Sequence, residues 1–194
     1  MNKFLIGIGF AVMLAMQLWV PSKMIYYQSN TIKSGTAYKF KTRPIDPSDP
    51  FRGKYVALNF ELDHFAITDT VWDATKPVYV YLTKDQDGFA HITQISNHPL
   101  NNAQDYVVAQ FNWQSGQVVY FDLPFNKFYM EEGKALEAEV AVRQTTRAFI
   151  TNPDQAPICY ALVYVKGENA TLDNVFIGEV PIREFVLQNR TALE

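Results

Sequence analysis

The segment "VYVYLTKDQDGFAHITQI", residues 78–95, consists of two runs of alternating side chains on either side of a polar turn sequence. Alternation with a period of two places successive side chains on opposite faces of a pleated strand. Asp87 and Gly88 between the runs suit the positive φ values of a hairpin turn. The segment therefore predicts an antiparallel β-hairpin.

The same period recurs along most of the chain beyond residue 33. The further alternating runs are residues 37–42, 55–62, 106–113, 117–123, 138–144, 147–150, 159–166 and 176–182. About ten short strands with turn signals between them are typical of an antiparallel sandwich or a partly open barrel. An all-β domain is therefore predicted, with one helical turn near residues 133–139 and a single N-terminal transmembrane helix.

Two of these runs carry specific predictions about burial. In residues 55–62 the apolar side chains alternate with smaller or polar ones, which predicts one strand with these residues facing the core: Val56, Leu58, Phe60 and Leu62. The segment "FNKFYM", residues 125–130, is unusually rich in aromatic residues. These side chains either cap the open end of the barrel or form an exposed patch for a partner.

The N-terminus contains the longest apolar segment of the chain. Residues 4–20 carry no charge, and a helix of that length rises about 1.5 Å per residue, so it nearly crosses a hydrocarbon layer of roughly 30 Å. A cleaved signal peptide is the alternative, but no A-x-A site follows, and Trp19, Tyr26 and Tyr27 are typical of a membrane interface. We predict an anchor over residues 1–27, with membrane lipid as its partner. Residues 28–194 then form an extracytoplasmic domain on the periplasmic side of the cell membrane.

The composition and the residue types exclude several classes of function. A formal charge of −3 is opposite to the basic surface that a nucleic-acid backbone requires. The single cysteine, Cys159, excludes an intramolecular disulfide, and the three histidines lack the spacing of a metal site. Asp63 can orient the ring of His64, but no nucleophile motif accompanies them. We therefore predict no cofactor and no metal.

A proline-rich corner precedes the strand at residue 55. Three residue pairs that end in Pro44, Pro47 and Pro50 hold the chain extended, and Gly53 permits a tight bend. Restrained in this way, the charged residues can pair with one another at the surface or form a recognition surface. The candidate binding residues are Arg43, Asp46, Asp49, Arg52, Gly53 and Tyr55.

The corner also resembles a known family. The run "TRPIDPSDPFRGKYVALNFEL", residues 42–62, resembles the signature of the GDYXXLXY family of bacterial membrane-anchored proteins, in which Lys54 and Phe60 replace an Asp and a Tyr of the motif. The similarity extends in order over about residues 4–143. It implies a single-pass protein of a kind often encoded beside, or fused to, a multi-pass membrane protein, and no catalytic residue can be transferred from the family. The replacement by Lys54 argues against a carboxylate or metal ligand at that position.

The function predicted from these features is a membrane-anchored binding or assembly module with an integral-membrane partner. The alternative is a cell-envelope hydrolase, similar to a Ser-Lys protease, with its site at the proline corner. A cleft with a nucleophile and a base within hydrogen-bond reach would distinguish the enzyme from the module. The absence of nucleophile motifs favours the module.

Overall fold

The computed structural model describes residues 3–43, 55–68, 71–129 and 157–185. Within these ranges one long helix is followed by twelve strands. The elements are α1 (Lys3–Ser34), β1 (Thr36–Arg43), β2 (Tyr55–Ala57), β3 (Asn59–Phe60), β4 (His64–Ala66), β5 (Val78–Lys84), β6 (Ala90–Ser96), β7 (Tyr106–Ser115), β8 (Val118–Asp122), β9 (Lys127–Tyr129), β10 (Cys159–Lys166), β11 (Asn169–Ile177) and β12 (Val180–Pro181).

The strands form two five-stranded antiparallel sheets and one smaller pair. The first sheet has the order β12-β11-β10-β1-β3, the second has the order β4-β8-β7-β5-β6, and β2 pairs with β9. Between the sheets, the amide of Lys39 in β1 donates a hydrogen bond to the carbonyl of Gly88 at 2.9 Å. The hydroxyl of Tyr38 donates to Asp105 at 3.0 Å. The predicted antiparallel, partly closed β-architecture is confirmed.

The hydrophobic core lies between the inward faces of the two sheets. Alternate residues of β1 and β10 meet alternate residues of β5, β7 and β8, and these are almost entirely buried: Phe40, Val163, Val165, Val78, Val80, Val107, Val119 and Phe121. Gly88 and Gly116 adopt φ values of 85° and 57° in the hairpin turns, which is the conformation that the turn sequences predict. The hairpin predicted from residues 78–95 is β5–β6, and that from residues 106–123 is β7–β8.

The prediction of a single strand over residues 55–62 is wrong, because this segment forms two short strands, β2 and β3, that pair in different sheets. β2 pairs with β9, whereas β3 pairs with the end of β1. Between them, the amide of Leu58 donates to the carbonyl of Asn126 at 2.8 Å. Alternation still holds across the break, since Leu58 and Phe60 are 3% and 5% exposed. Leu62 is half-buried, and the side chain of Val56 lies outside the described residues.

The helix α1 joins the β-domain through one residue, Gly35. The helix continues beyond residue 27 to Ser34, and its last turns contact β10 and β11. Thr31 is 2% exposed, and its carbonyl accepts a hydrogen bond from the Gly35 amide at 2.8 Å. The ammonium of Lys166 donates to the Ser34 hydroxyl at 2.7 Å. The last turns of the helix are therefore packed against the first sheet.

The aromatic segment at residues 125–130 contains two buried rings and one exposed ring among the described residues. Phe125 and Phe128 are 6% and 5% exposed and belong to the core, whereas Tyr129 is 63% exposed. Met130 lies outside the described residues, as do the helical turn predicted near residues 133–139 and the strands predicted at 138–144 and 147–150.

Candidate functional site

Only the two ends of the proline corner fall within the described residues. Arg43 is the last residue of β1, opposite Asn59 of β3. Tyr55 is the first residue of β2, opposite Tyr129 of β9. The other candidates, Asp46, Asp49, Arg52 and Gly53, lie outside the described residues, so their clustering stays a prediction. The chain enters the corner from the first sheet and leaves it into the two-stranded pair.

A buried group of aromatic rings lies below the strands that flank the corner. The rings of Phe40, Phe60 and Phe125 meet edge to face, with centroids 5.0 to 5.9 Å apart. A small cavity of about 170 Å³ lies beside them and is lined by residues 58–60, 62–63, 121–123 and 126. The strands next to the corner therefore rest on a rigid aromatic base.

A second aromatic row lies on the outer face of the second sheet, and we call it the aromatic ladder. It consists of Trp113, Tyr120 and His64, which stand directly opposite one another on β7, β8 and β4. Trp113 and Tyr120 are stacked with centroids 4.1 Å apart and planes 1° apart. His64 stacks on Tyr120 at 5.5 Å and 29°. Trp113 is 49% exposed.

A β-bulge in β7 accounts for the outward direction of Trp113. Val107, Ala109 and Phe111 alternate towards the core, and strict alternation would place Trp113 on the same face. The register between β7 and β8 shifts between Phe111 and Trp113. The extra residue reverses the alternation, as bulges do, and Trp113 stands on the solvent face. Gln114 then turns inward, where its Oε1 accepts a hydrogen bond from the Trp72 amide at 2.8 Å.

A carboxylate fixes the far end of the ladder. Asp63 Oδ1 lies 2.6 Å from His64 Nδ1, and the Asp63 carbonyl accepts a hydrogen bond from the Phe121 amide at 2.9 Å. The carboxylate is thereby attached to the second sheet while it holds the imidazole. The orientation of the His64 ring, and through it the Tyr120 ring, is set before any ligand arrives.

An open groove of about 630 Å³ lies at the Gln110–Asp122 pair of β7 and β8, next to the ladder along these strands. It is formed by residues 74–77, 108–111, 122–124 and 126. Asp122 lies two residues after Tyr120, on the same face of β8, and Gln110 stands opposite Asp122. At the rim, hydrogen bonds from the hydroxyl and amide of Thr75 lower the pKa of Asp73, and Lys76 lies 3.3 Å from the Asp73 carboxylate. The groove is therefore lined by both polar and apolar side chains, with the Lys76–Asp73 ion pair at one edge.

The remaining nucleophiles and bases of the described residues do not assemble into a hydrolytic site. His64 has Asp63 as its one hydrogen-bond partner within the described ranges. Ser96 lies 3.5 Å from His98, two residues away, and accepts a hydrogen bond from the amide of the same residue. Burial raises the pKa of Cys159 to about 11, so this thiol stays protonated at neutral pH. Among the same residues no group of three metal-ligating side chains occurs.

The whole-chain pattern matches one family. The model of the GDYXXLXY protein matches residues 17–169, which include the end of α1, the corner, both candidate aromatic groups and the β10 strand. The chain belongs to the GDYXXLXY family. No curated protein and no solved structure matches it. Membership of the GDYXXLXY family confirms the resemblance found at the corner.

The aromatic ladder was missed by sequence reasoning although each of its residues lies in or beside a predicted strand. Its members come from three strands whose pairing the sequence does not specify, and the bulge reverses the face of Trp113. Asn112 continues the alternation of residues 107–113, which would place Trp113 in the core, so no local signal in the sequence marks the bulge.

Proposed function

We propose that this member of the GDYXXLXY family is a membrane-anchored, extracytoplasmic binding and assembly module that works with an integral-membrane partner. The observation that carries the proposal is the helix α1. It is 32 residues long, and none of its most apolar 18-residue window is buried against the β-domain. An apolar helical segment with its lateral surface exposed over 18 residues favours lipid or other apolar helices as its surroundings.

The length of α1 supports a position of the β-domain at the membrane surface. At about 1.5 Å per residue its 32 residues extend roughly 48 Å, close to the 40–45 Å of a bilayer with its headgroup regions. Trp19, Tyr26 and Tyr27 are exposed on the half of the helix that leads to the domain. Aromatic residues of this kind concentrate at membrane interfaces. The domain then begins where the headgroups end.

The residues on one face of α1 favour a partner that contributes another transmembrane helix. Gly7, Ala11 and Ala15 recur every fourth residue and therefore lie on one face. Small residues at this spacing let two helices approach closely within a membrane. A Cβ atom added at Gly7 or Gly9 meets nothing within 4 Å in this chain. Substitution at either glycine therefore leaves the internal packing of the protein unchanged.

The N-terminal sequence supports the extracytoplasmic side, because an apolar run directly after Lys3 resembles an export signal. A reporter fused after Ser34 should be active outside the cytoplasm, and the full chain should resist extraction from membranes at alkaline pH. Activity of the reporter only inside the cytoplasm would reverse the orientation.

A matched pair of glycine variants tests whether an integral-membrane partner binds the face of α1 that contains Gly7. The full chain is captured in mild detergent, and the proteins that accompany it are identified for the wild type, Gly7→Ile and Gly9→Ile. We expect one multi-pass membrane protein with the wild type and with Gly9→Ile, because Gly9 lies about 200° around the helix from Gly7. Its recovery should fall about tenfold or more with Gly7→Ile. Recovery of a second copy of the chain alone, or equal recovery with both variants, would contradict the proposed partner.

A further inference from the structure

We propose that the aromatic ladder and the polar residues beside it form a binding site for a neutral carbohydrate, with the free face of Trp113 as the platform for a pyranose ring. This site goes beyond the proposed membrane assembly and does not depend on it, because the ladder, Gln110 and Asp122 all lie on strands of the second sheet and not on α1. The inference rests on ring geometry, on unpaired polar side chains and on the shape of the groove.

The platform is the face of Trp113 that Tyr120 leaves free. Tyr120 covers one face of the indole at a centroid distance of 4.1 Å, yet Trp113 remains 49% exposed. The exposed area is therefore the opposite face together with the ring edges. The indole is braced by Tyr120, then by His64, and finally by the Asp63 carboxylate at 2.6 Å. A rigid aromatic ring of this kind loses little conformational entropy when a ligand binds.

The face of an aromatic ring attracts the C–H side of a sugar. The π-system carries negative charge on its face, and the C–H bonds on one side of a pyranose ring carry partial positive charge. The hydroxyl groups at the edge of the sugar then need donors and acceptors beside the platform. Asp122 and Gln110 are exposed on the same face, and neither side chain has a hydrogen bond within the described residues. A carboxylate and an amide provide the required acceptors and donors.

The surroundings of the ladder favour a sugar over an apolar protein surface. The outward neighbours Ser115, Asp122 and Gln110 are exposed and polar, and the apolar neighbours Val118 and Ala66 add little exposed area because Val118 is half-buried and Ala66 is small. A hydrophobic interface would require a wider patch around the aromatic anchor. A pyranose ring has the matching shape, with one apolar face and a polar perimeter.

The other surface group of aromatic rings differs in this respect. Tyr160 and Phe176 stack across β10 and β11 at 5.1 Å and 10°. The ammonium of Lys39 lies 5.4 Å from the Tyr160 ring centroid and from that of Phe89, and the Lys41 ammonium lies 4.9 Å from Phe89. Tyr160 and Phe89 therefore already have cations as partners, and Phe176 is half-buried with Tyr160 against one face of its ring. The Tyr160–Phe176 pair therefore provides a matched control for the ladder.

The groove gives the site room for more than one sugar unit. Its volume of about 630 Å³ lies within the range of roughly 300 to 1,000 Å³ that small-molecule sites occupy. The groove shares Asp122 and Gln110 with the surroundings of the ladder and is open to solvent along its length. An oligosaccharide with one unit on Trp113 can place the next units along it.

The test uses the full chain in phosphatidylcholine nanodiscs, because sugar-based detergents would compete for the site. Chitotetraose, cellotetraose and maltotetraose are titrated by calorimetry. We expect at least one to bind with a Kd in about the micromolar to millimolar range. Trp113→Ala should weaken binding at least about tenfold, and Asp122→Ala by about tenfold. Phe176→Ala, which truncates the control pair, should leave the affinity unchanged.

Two results would overturn the site. The first is that none of the three oligosaccharides binds the wild type. The second is that Trp113→Ala and Phe176→Ala have the same effect on affinity. Thermal unfolding of each variant establishes whether it is folded. If Trp113→Ala fails to fold, the affinities of Asp122→Ala and Gln110→Ala test the site instead. These side chains make no hydrogen bond within the described residues, so their removal should leave the fold intact. Unchanged affinity in both variants would then reject the proposal.

Discussion

Two groups of three aromatic rings occupy opposite environments in this molecule. Phe40, Phe60 and Phe125 meet edge to face inside the core and are at most 6% exposed. Trp113, Tyr120 and His64 stack in nearly parallel planes on the outer face of the second sheet. Each group draws its rings from separate strands or loops. Only the first group removes its rings from water.

The difference separates aromatic residues that stabilise the fold from those available for recognition. Edge-to-face packing lets every ring of the core contact several neighbours, so the removal of one ring leaves a cavity. In the aromatic ladder the outer surfaces of the rings remain in water, so the removal of one ring there should lower the free energy of unfolding only slightly. If this division is correct, stability and ligand binding respond to different residues.

The largest effect on stability is expected for Phe40→Ala. Phe40 is fully buried and contacts both Phe60 and Phe125, so truncation leaves a cavity and should lower the free energy of unfolding by about 3 to 5 kcal/mol. Denaturant unfolding of the full chain in nanodiscs measures the change. A loss below about 1 kcal/mol would mean that the core triad does not support the fold and would remove the contrast with the ladder.

An intermediate effect is expected for Tyr38→Phe, because Tyr38 combines a core ring with a polar contact. Its hydroxyl donates to Asp105 across the two sheets at 3.0 Å, and loss of that bond should cost about 1 to 2 kcal/mol at pH 7. Burial raises the pKa of Tyr38, with the nearby Asp105 carboxylate adding to the rise.

The alkaline stability of the same variant sharpens the prediction. Since the folded pKa of Tyr38 lies above the unfolded value near 10, its contribution is complete below about pH 10 and is lost as the pH rises through the folded value. The wild type should therefore lose stability faster than Tyr38→Phe between about pH 10 and pH 11. Parallel stability profiles for the two proteins over that interval would contradict the assignment.

The smallest effect is expected for Trp113→Ala. A cross-strand aromatic pair on a solvent face contributes about 0.2 to 1 kcal/mol, and half of this side chain is already in water. The free energy of unfolding should therefore change by at most about 1 kcal/mol, while carbohydrate binding falls at least about tenfold. A destabilisation as large as that of Phe40→Ala would place the ladder among the structural elements of the fold.

The sequence predicts the sheets well because their signals are local. The period of two and the turn glycines at positions 88 and 116 are sufficient for the two hairpins, β5–β6 and β7–β8. The apolar run likewise predicts the helix. The break at Leu58 is not predicted, since the alternation of residues 55–62 continues across it while the pairing partner changes from β9 to β1. Alternation reports which face is apolar and does not identify the neighbouring strand.

The candidate site is less predictable because it depends on long-range register. His64 meets Tyr120 across 56 positions of sequence, and Trp113 faces outward only because of the bulge after Phe111. Neither relation follows from spacing or composition. The proline corner shows the reverse case, since its sequence identifies the family while its recognition role stays a prediction.

The single glycine between α1 and β1 has a mechanical consequence. A Cβ atom at Gly35 would lie 2.5 Å from the Thr31 carbonyl oxygen and 2.8 Å from that of Val165, so the joint is closed on both sides. This close packing and the Lys166–Ser34 hydrogen bond couple the helix to the β-domain, so a rotation of the helix about its own axis should turn the groove in the same direction. One residue inserted within the helix would rotate the domain by about 100°. In the proposed membrane-anchored arrangement, the rotational position of the helix would thereby determine which neighbouring molecules the groove faces.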